Sequence, residues 1–367
     1  MKKLIVFIVV LFTLAFTQLF SAAAVEYDLS GIYNSLSDEV KNGMSEIGAD
    51  SADAASLKDI SFEAVLSRLL NTAQSQSASP LKTLIHITAV LLICSMLSAY
   101  KSSLSPAVGE TVNTAAALCV SCAVTAPAVA LIGQAQDVIL AASNLMLAYI
   151  PVMTVILTAG GSVAGAGSYY ASVLAAGEGT GQLCSKVIVP FLNMYLGLSI
   201  VSSVAPNVNL SGFISLISKT FKWLLGFSMA VFTAVLSVKQ LLCDSIDTVS
   251  GRAVKFAVSS FVPVVGGALA DAYKTVQGSI GLLKSGTGVF VIIAVAVTFL
   301  PVIIQGLLWS LTLFLGRSLS ETLGLDRAAK LLGGLSSVFS AVISAALCVA
   351  AVYIVSTAVV LLSGGGA

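Results

Sequence analysis

Thirty-two consecutive residues, Ser285 to Gly316, carry no charge, and the chain repeats this pattern along its length. Further uncharged runs cover 83–100, 111–136, 138–177, 187–218, 223–238, 256–270 and 331–367. A water-soluble core cannot absorb so much apolar chain with so few residues left to face solvent. A bilayer can, because the lipid tails are themselves the apolar partner. Charged residues make up 10% of the 367 residues and mean hydropathy is +1.01. A typical soluble domain carries about 25% charge, so an ordinary cytosolic enzyme is excluded. The expected fold class is all-α: a polytopic transmembrane helix bundle, preceded by a signal peptide and a small helical extracytoplasmic segment.

Three regions follow from charge and hydropathy. Residues 1–24 read as a signal peptide: Lys2 and Lys3, an apolar stretch from Leu4 to Phe20, then Ala22-Ala23-Ala24 as a small-residue cleavage site. Residues 25–80 form an acidic extracytoplasmic helical segment and linker. Nine acids against Lys41, Lys58 and Arg68 give it a charge of 3 − 9 = −6. Within it, Phe62, Val65, Leu66, Leu69 and Leu70 fall on one helical face. Ser61 is placed to cap that helix, and Ser75–Pro80 reads as a polar linker. Residues 81–367 form the multi-span membrane domain of seven to eight spans.

The expected spans are Thr83–Ala99, Thr111–Gly133, Val138–Ala159, Val187–Ala205, Phe221–Val238, Gly251–Asp271, Val289–Leu315 and Leu335–Leu362. A tight turn is expected around Gln134–Asp137, and the glycine-rich 160–181 reads as a re-entrant element or a loose loop. Pro206–Lys219 reads as a polar turn. Ser320 is expected to cap a connector helix carrying Leu323, Ala328, Leu331 and Leu332. The fifteen uncharged residues 256–270 rise only about 22 Å as a helix. That falls short of the roughly 30 Å hydrocarbon layer, and Pro263 and Gly266-Gly267 interrupt them. A re-entrant element fits there, while the distribution of Lys and Arg between the two sides slightly favours a full crossing. Gly161-x-x-x-Gly165 offers a surface for close helix contact.

Several chemistries are absent. No Gly-Lys pair occurs, so a phosphate-binding Walker loop is excluded. His86 is the only histidine, which removes multi-histidine metal sites, and no cofactor, no metal and no catalytic residue is expected. His86 reads as a solvated residue near the start of the first span rather than a proton carrier. Cys119 and Cys122 form a C-x-x-C inside an apolar run and are expected to pack against a neighbouring helix. No basic, aromatic-rich stretch supports nucleic-acid binding. Charges sit at the edges of the apolar runs, which argues against a coupled transporter.

The densest polar constellation spans Asp244–Lys284. Asp247, Gly251, Arg252 and Lys255 precede an apolar block containing Phe261, Pro263 and Gly266, and Asp271 follows it. Opposite charges around a Pro/Gly-broken, half-inserted element suit a gate or a subunit contact; a pair of surface helices with snorkelling ends fits equally. Here the chain resembles the stage III sporulation protein AE family of endospore-forming bacteria. The resemblance is carried by Asp247-Thr248-Val249-Ser250-Gly251-Arg252-Ala253-Val254-Lys255-Phe256, by Phe261-Val262-Pro263-Val264-Val265-Gly266-Gly267, and by Asp271 and Thr275-Val276. It implies a non-enzymatic subunit of a channel-like apparatus linking mother cell and forespore, sited in the mother-cell membrane around the forespore. The implied partners are the other membrane proteins of the stage III operon (AA to AH), forespore protein Q across the intermembrane space, and the lipid bilayer, with self-association left open. A partner ATPase would supply energy. The alternative from residues alone is a stand-alone transporter or permease, with cavity walls in 160–181 and 256–270.

Overall fold

A computed structural model describes residues 30–49, 62–99, 106–159, 163–205, 210, 212–228, 230, 231, 234 and 266–362. All regular structure among them is helical. The signal peptide, Ser61, Gly161 and the candidate residues Asp247, Gly251, Arg252, Lys255, Phe261 and Pro263 lie outside the described residues.

The helices are α1 (Ser30–Ser35), α2 (Asp38–Glu46), α3 (Phe62–Ala99), α4 (Pro106–Ala159), α5 (Val163–Leu183), α6 (Val189–Val204), α7 (Gly266–Thr322) and α8 (Asp326–Leu362). A single π-helical turn, Cys184–Ile188, joins α5 to α6, and residues 212–228 are helical as well. Five helical stretches are long and apolar enough to cross a membrane: Glu63–Ser98, Gly109–Ala159, Gly181–Val204, Gly286–Thr322 and Asp326–Ala358. Helices are the expected solution, since lipid offers backbone N–H and C=O groups no hydrogen bonds.

Packing is organised around the antiparallel pair α7–α8. A methyl group built on Gly306 would lie 2.6 Å from Ile343 Cγ1, and one on Gly333 would lie 3.1 Å from Arg317 Nη1. Between them Trp309 stacks on Phe339 at 5.9 Å, both side chains fully buried. Paired residue numbers thus fall on one helix as they rise on the other. The turn between them is closed by Gly324 in the left-handed region (φ 67°). Leu325 N donates to Ser320 O and Gly324 N to Glu321 O, which satisfies the last carbonyls of α7. The same device ends α2: Gly48 has φ 79°, and Ala49 N donates to Met44 O.

The other helices assemble on this pair. Leu131 of α4 lies beside Gly306, while Arg327 at the start of α8 reaches Glu110 at the start of α4. Helix α4 therefore runs parallel to α8. Arg327 meets Val204 O and a methyl on Gly334 would meet Ser199 Cβ at 3.1 Å, so α6 runs antiparallel to α8. Helix α3 runs parallel to α7. Arg68 and Val297 meet at Gly43, and Ile87 meets Gly316 nineteen residues further along both helices.

Several boundaries differ from expectation. The turn expected at Gln134–Asp137 is the interior of the 54-residue α4. Glutamine and alanine are good helix formers, and burial of Ala135 and Ile139 holds the register while Gln134 and Asp137 face outward. Ser75–Pro80 is not a linker. The amphipathic helix and the first span are one 38-residue α3, with Pro80 inside it. The loose loop at 160–181 is replaced by α5, so Gly177–Thr180 lie within a helix. Residues 212–219, expected in a polar turn, are helical.

Residues 272–288, expected between spans, are the N-terminal half of the 57-residue α7. Once the apolar run at 289–315 nucleates a helix, propagation outweighs the roughly 1 kcal/mol cost of each glycine. Ser320 does not start a helix: it lies near the end of α7 and donates to Gly316 O. At about 1.5 Å per residue, α4 and α7 are each on the order of 80 Å long, more than twice the hydrocarbon thickness.

Ahead of α3, the short α1–α2 pair buries Ile32, Leu36, Val40, Met44 and Ile47 against the bundle. Ser37 caps α2, accepting from Val40 N, and Arg68 of α3 pairs with Glu46 at 2.7 Å. Met44→Asp should release this pair, since an unpaired carboxylate cannot occupy a fully buried site. Tryptic cleavage after Lys41 would then rise severalfold. Gly306→Ala should lower the unfolding temperature in detergent because Ile343 must move. Gly133→Ala, where an added methyl meets nothing within 4 Å, should be neutral or slightly stabilising.

Candidate functional site

The densest polar cluster among the described residues lies where the first turns of α4 and α8 meet the last turn of α6. Arg327 is its centre. Its Nη2 donates to Glu110 Oε1 at 2.6 Å, and its Nη1 donates to Thr114 Oγ1 at 2.8 Å and to Val204 O at 3.4 Å. One turn on, Lys330 Nζ donates to Ser202 O at 3.4 Å. Arg327 side-chain exposure is 20% and that of Glu110 is 65%, so the guanidinium is held inside while its carboxylate partner stays hydrated.

Local sequence explains the arrangement. The closing carbonyls of α6 have no partner within their own helix, and the C-terminal end of a helix favours a cation. Asp326 opens α8 with the sign its own dipole prefers, whereas Arg327 points away to the α6 end. Three helix termini are thereby tied by one planar fork, which a point-charge lysine could not match. The Arg327 guanidinium and the Lys330 ammonium are both engaged at helix ends, while the Ser202 hydroxyl beside them is buried without a hydrogen-bond partner. The arrangement is a brace.

A second, smaller brace is the Arg68–Glu46 pair described above. Residue 297 of α7 marks its level, and residue 322 ends α7 beside the Arg327 cluster. About 25 residues of helix separate them, roughly 38 Å, which is close to a bilayer with its headgroup regions.

Of the candidate residues from sequence, Gly266 opens α7 and Asp271 lies in its second turn. The structure brings neither to the Arg327 cluster. Asp247, Gly251, Arg252, Lys255, Phe261 and Pro263 lie outside the described residues. Arg327 and Glu110 were missed because each reads in sequence as a topological charge at a run's edge. Their separation of 217 residues gives no local signal. Cys119 and Cys122, expected to pack against a neighbour, are instead both exposed on the outer face of α4. Among the described cysteines, Cys94 and Cys184 are buried. His86 is exposed on α3, with Nδ1–H donating to Lys82 O at 2.8 Å. No group of three or more His, Cys, Asp or Glu that could hold a metal ion occurs among the described residues.

Long apolar helices and braces near two levels define a multi-pass α-helical membrane protein. The chain matches the family model for stage III sporulation protein AE over residues 52–364, and it belongs to that family. It is similar to stage III sporulation protein AE of Bacillus subtilis (strain 168), with 26% identity over 173 residues. That stretch covers 47% of this chain and 43% of the relative, less than half of each. No solved structure matches.

Arg327→Ala leaves Glu110, Thr114 and Val204 O without their shared donor, and should cost about 1–3 kcal/mol. Glu110→Ala leaves Arg327 two acceptors and should cost under about 1 kcal/mol, as exposed ion pairs do. Thermal unfolding in detergent measures both, with the Arg327 variant melting lower.

Proposed function

We propose that the protein is a non-enzymatic membrane subunit of a channel-like complex linking mother cell and forespore during endospore formation. It would sit in the mother-cell membrane that surrounds the forespore. The observation that carries this reading is the family match across 52–364, which takes in the last part of the acidic segment and nearly all of the membrane domain. Its partners would be the other stage III operon membrane proteins (AA to AH), with forespore protein Q facing it across the intermembrane space. The polar residues of the bundle support a structural role, since Arg327 and Arg68 are spent on holding helices together. Asp247, Gly251, Arg252, Lys255, Phe261, Pro263, Gly266 and Asp271 are proposed as the gate or partner contact.

The transporter reading rests on two segments: the glycine-rich one forms helix α5, and the other, 256–270, lies mostly outside the described residues.

Deletion of the gene in its endospore-forming host should arrest development after engulfment, and the tagged protein should co-purify with the other operon membrane proteins. Normal spore yield together with no operon partner in the purified material would overturn the proposal. The double substitution Arg252→Ala with Lys255→Ala should weaken that co-purification while membrane insertion stays normal. Unchanged recovery of partners would reduce both residues to topological anchors.

A further inference from the structure

Two buried hydroxyls on α6 stand without a partner. Ser199 is 2% exposed and Ser202 is 4% exposed, and neither Oγ has a hydrogen-bond partner. Other buried hydroxyls of the bundle, at Ser203, Thr298 and Ser320, donate to the carbonyl four residues back. A buried polar group left open is uncommon, and a bound molecule is one of the few reasons for it. Both hydroxyls stand on the side of α6 that meets α8. A methyl on Gly334 would lie 3.3 Å from Ser199 Oγ, and Lys330 Nζ meets Ser202 O at 3.4 Å. Residues 199 and 202 share one face of α6, as 330 and 334 share one face of α8.

Lys330 is a cation without a carboxylate. Arg327 pairs with Glu110 and Arg317 with Glu321. Asp326, one turn before Lys330 in the opening turn of α8, forms no ion pair with it. The Lys330 side chain is exposed, and its single bond to Ser202 O uses one of three ammonium hydrogens. One turn deeper, Arg317 Nη1 lies 3.1 Å from the methyl position of Gly333 and borders the same strip of α8. An ammonium, a guanidinium edge and two open hydroxyls are all able to donate. Together they suit a tetrahedral oxyanion.

The surroundings suit one carried on a lipid. Lys330 lies three residues, about 4.5 Å, inward of the Arg327 level that marks one bilayer boundary. From Leu331 onward the chain carries no charge. Ser337, Ser340 and Ser344 are exposed along α8, with each hydroxyl turned back to its own helix. A phosphate at Lys330 would thus sit at headgroup depth, above a low, uncharged strip where acyl chains can lie.

We propose that Lys330, Ser202, Ser199 and the edge of Arg317 form a binding site for a phosphate group. Inorganic phosphate and the phosphodiester of an anionic phospholipid share this chemistry, and the uncharged strip favours the lipid.

The full chain, purified and stripped of lipid in a neutral detergent, is titrated with phosphatidylglycerol, phosphatidylcholine or inorganic phosphate. Thermal unfolding reports the response, and native mass spectrometry counts bound lipid. Phosphatidylglycerol should raise the unfolding temperature and remain bound. Lys330→Gln should weaken its binding about tenfold, as loss of a charge-assisted hydrogen bond does. Ser202→Ala should weaken it about threefold, yet leave the ligand-free unfolding temperature unchanged or higher, since the hydroxyl removed has no protein partner. Lys222→Gln, at an exposed lysine elsewhere, should bind as the parent does. A response to inorganic phosphate that Lys330→Gln and Ser202→Ala both weaken supports the site and identifies a soluble oxyanion as its occupant. A response confined to phosphatidylglycerol identifies the lipid. No response to either, an equal response to phosphatidylcholine, or binding that Ser202→Ala leaves untouched would overturn the proposal. Should Lys330→Gln fail to fold, Ser202→Ala decides alone. Spore formation plays no part in these readouts, so failure here leaves the sporulation proposal intact, and the reverse holds.

Discussion

The contact between α7 and α8 makes the surface on which α3, α4 and α6 assemble, and α5 packs in turn on α4. Glycine at 306 lets the two backbones approach until Ile343 fills the space a side chain would take. Trp309 and Phe339 then stack in the same interface. Lipid tails are as apolar as the side chains they would replace, so helices in a membrane gain little from hydrophobic exclusion. They associate by close van der Waals fit and by interhelical polar contacts. The α7–α8 pair supplies the fit, and the braces at Arg327 and Arg68 supply the polar contacts.

Much of this was legible in the sequence, for a physical reason. Uncharged runs too long for a soluble core require lipid, and lipid requires helices. The all-α membrane fold follows from Ser285–Gly316 and its counterparts without knowledge of a single contact. Buried residues at helical spacing, such as Leu91 and Cys94 or Leu331 and Leu335, fit the same pattern. What the residues could not show was where one helix ends and the next begins. Gln134–Asp137 and Ser75–Pro80 carry the residue types that elsewhere mark turns and linkers. The first is held helical by buried Ala135 and Ile139, the second by continuity with the apolar helix that follows it. Local propensity gave the wrong answer where packing decided.

The polar brace was illegible for a different reason. Arg327 differs little from Arg317 in sequence: each stands at the edge of an apolar run. Arg317 finds Glu321 four residues on, whereas Arg327 finds Glu110 and Val204 on two other helices. The glycine contacts show the same limit. Gly161-x-x-x-Gly165 has the recognisable spacing, yet the close approaches described fall at Gly306, Gly316 and Gly334, which form no such motif with one another. Only the third dimension tells a snorkelling cation from a buttress, or a spacer glycine from an idle one.

The seating of α2 against α7 bears on how the chain is made. Gly43 and Met44 leave the ribosome about 250 residues ahead of Val297, the residue that closes over Gly43. At typical synthesis rates of roughly 5–20 residues per second, that is a wait on the order of 10–50 s. During it α2 lacks its α7 surface, whereas α1 already has α4 to pack against. The seating of α2 must therefore trail insertion of the last hairpin.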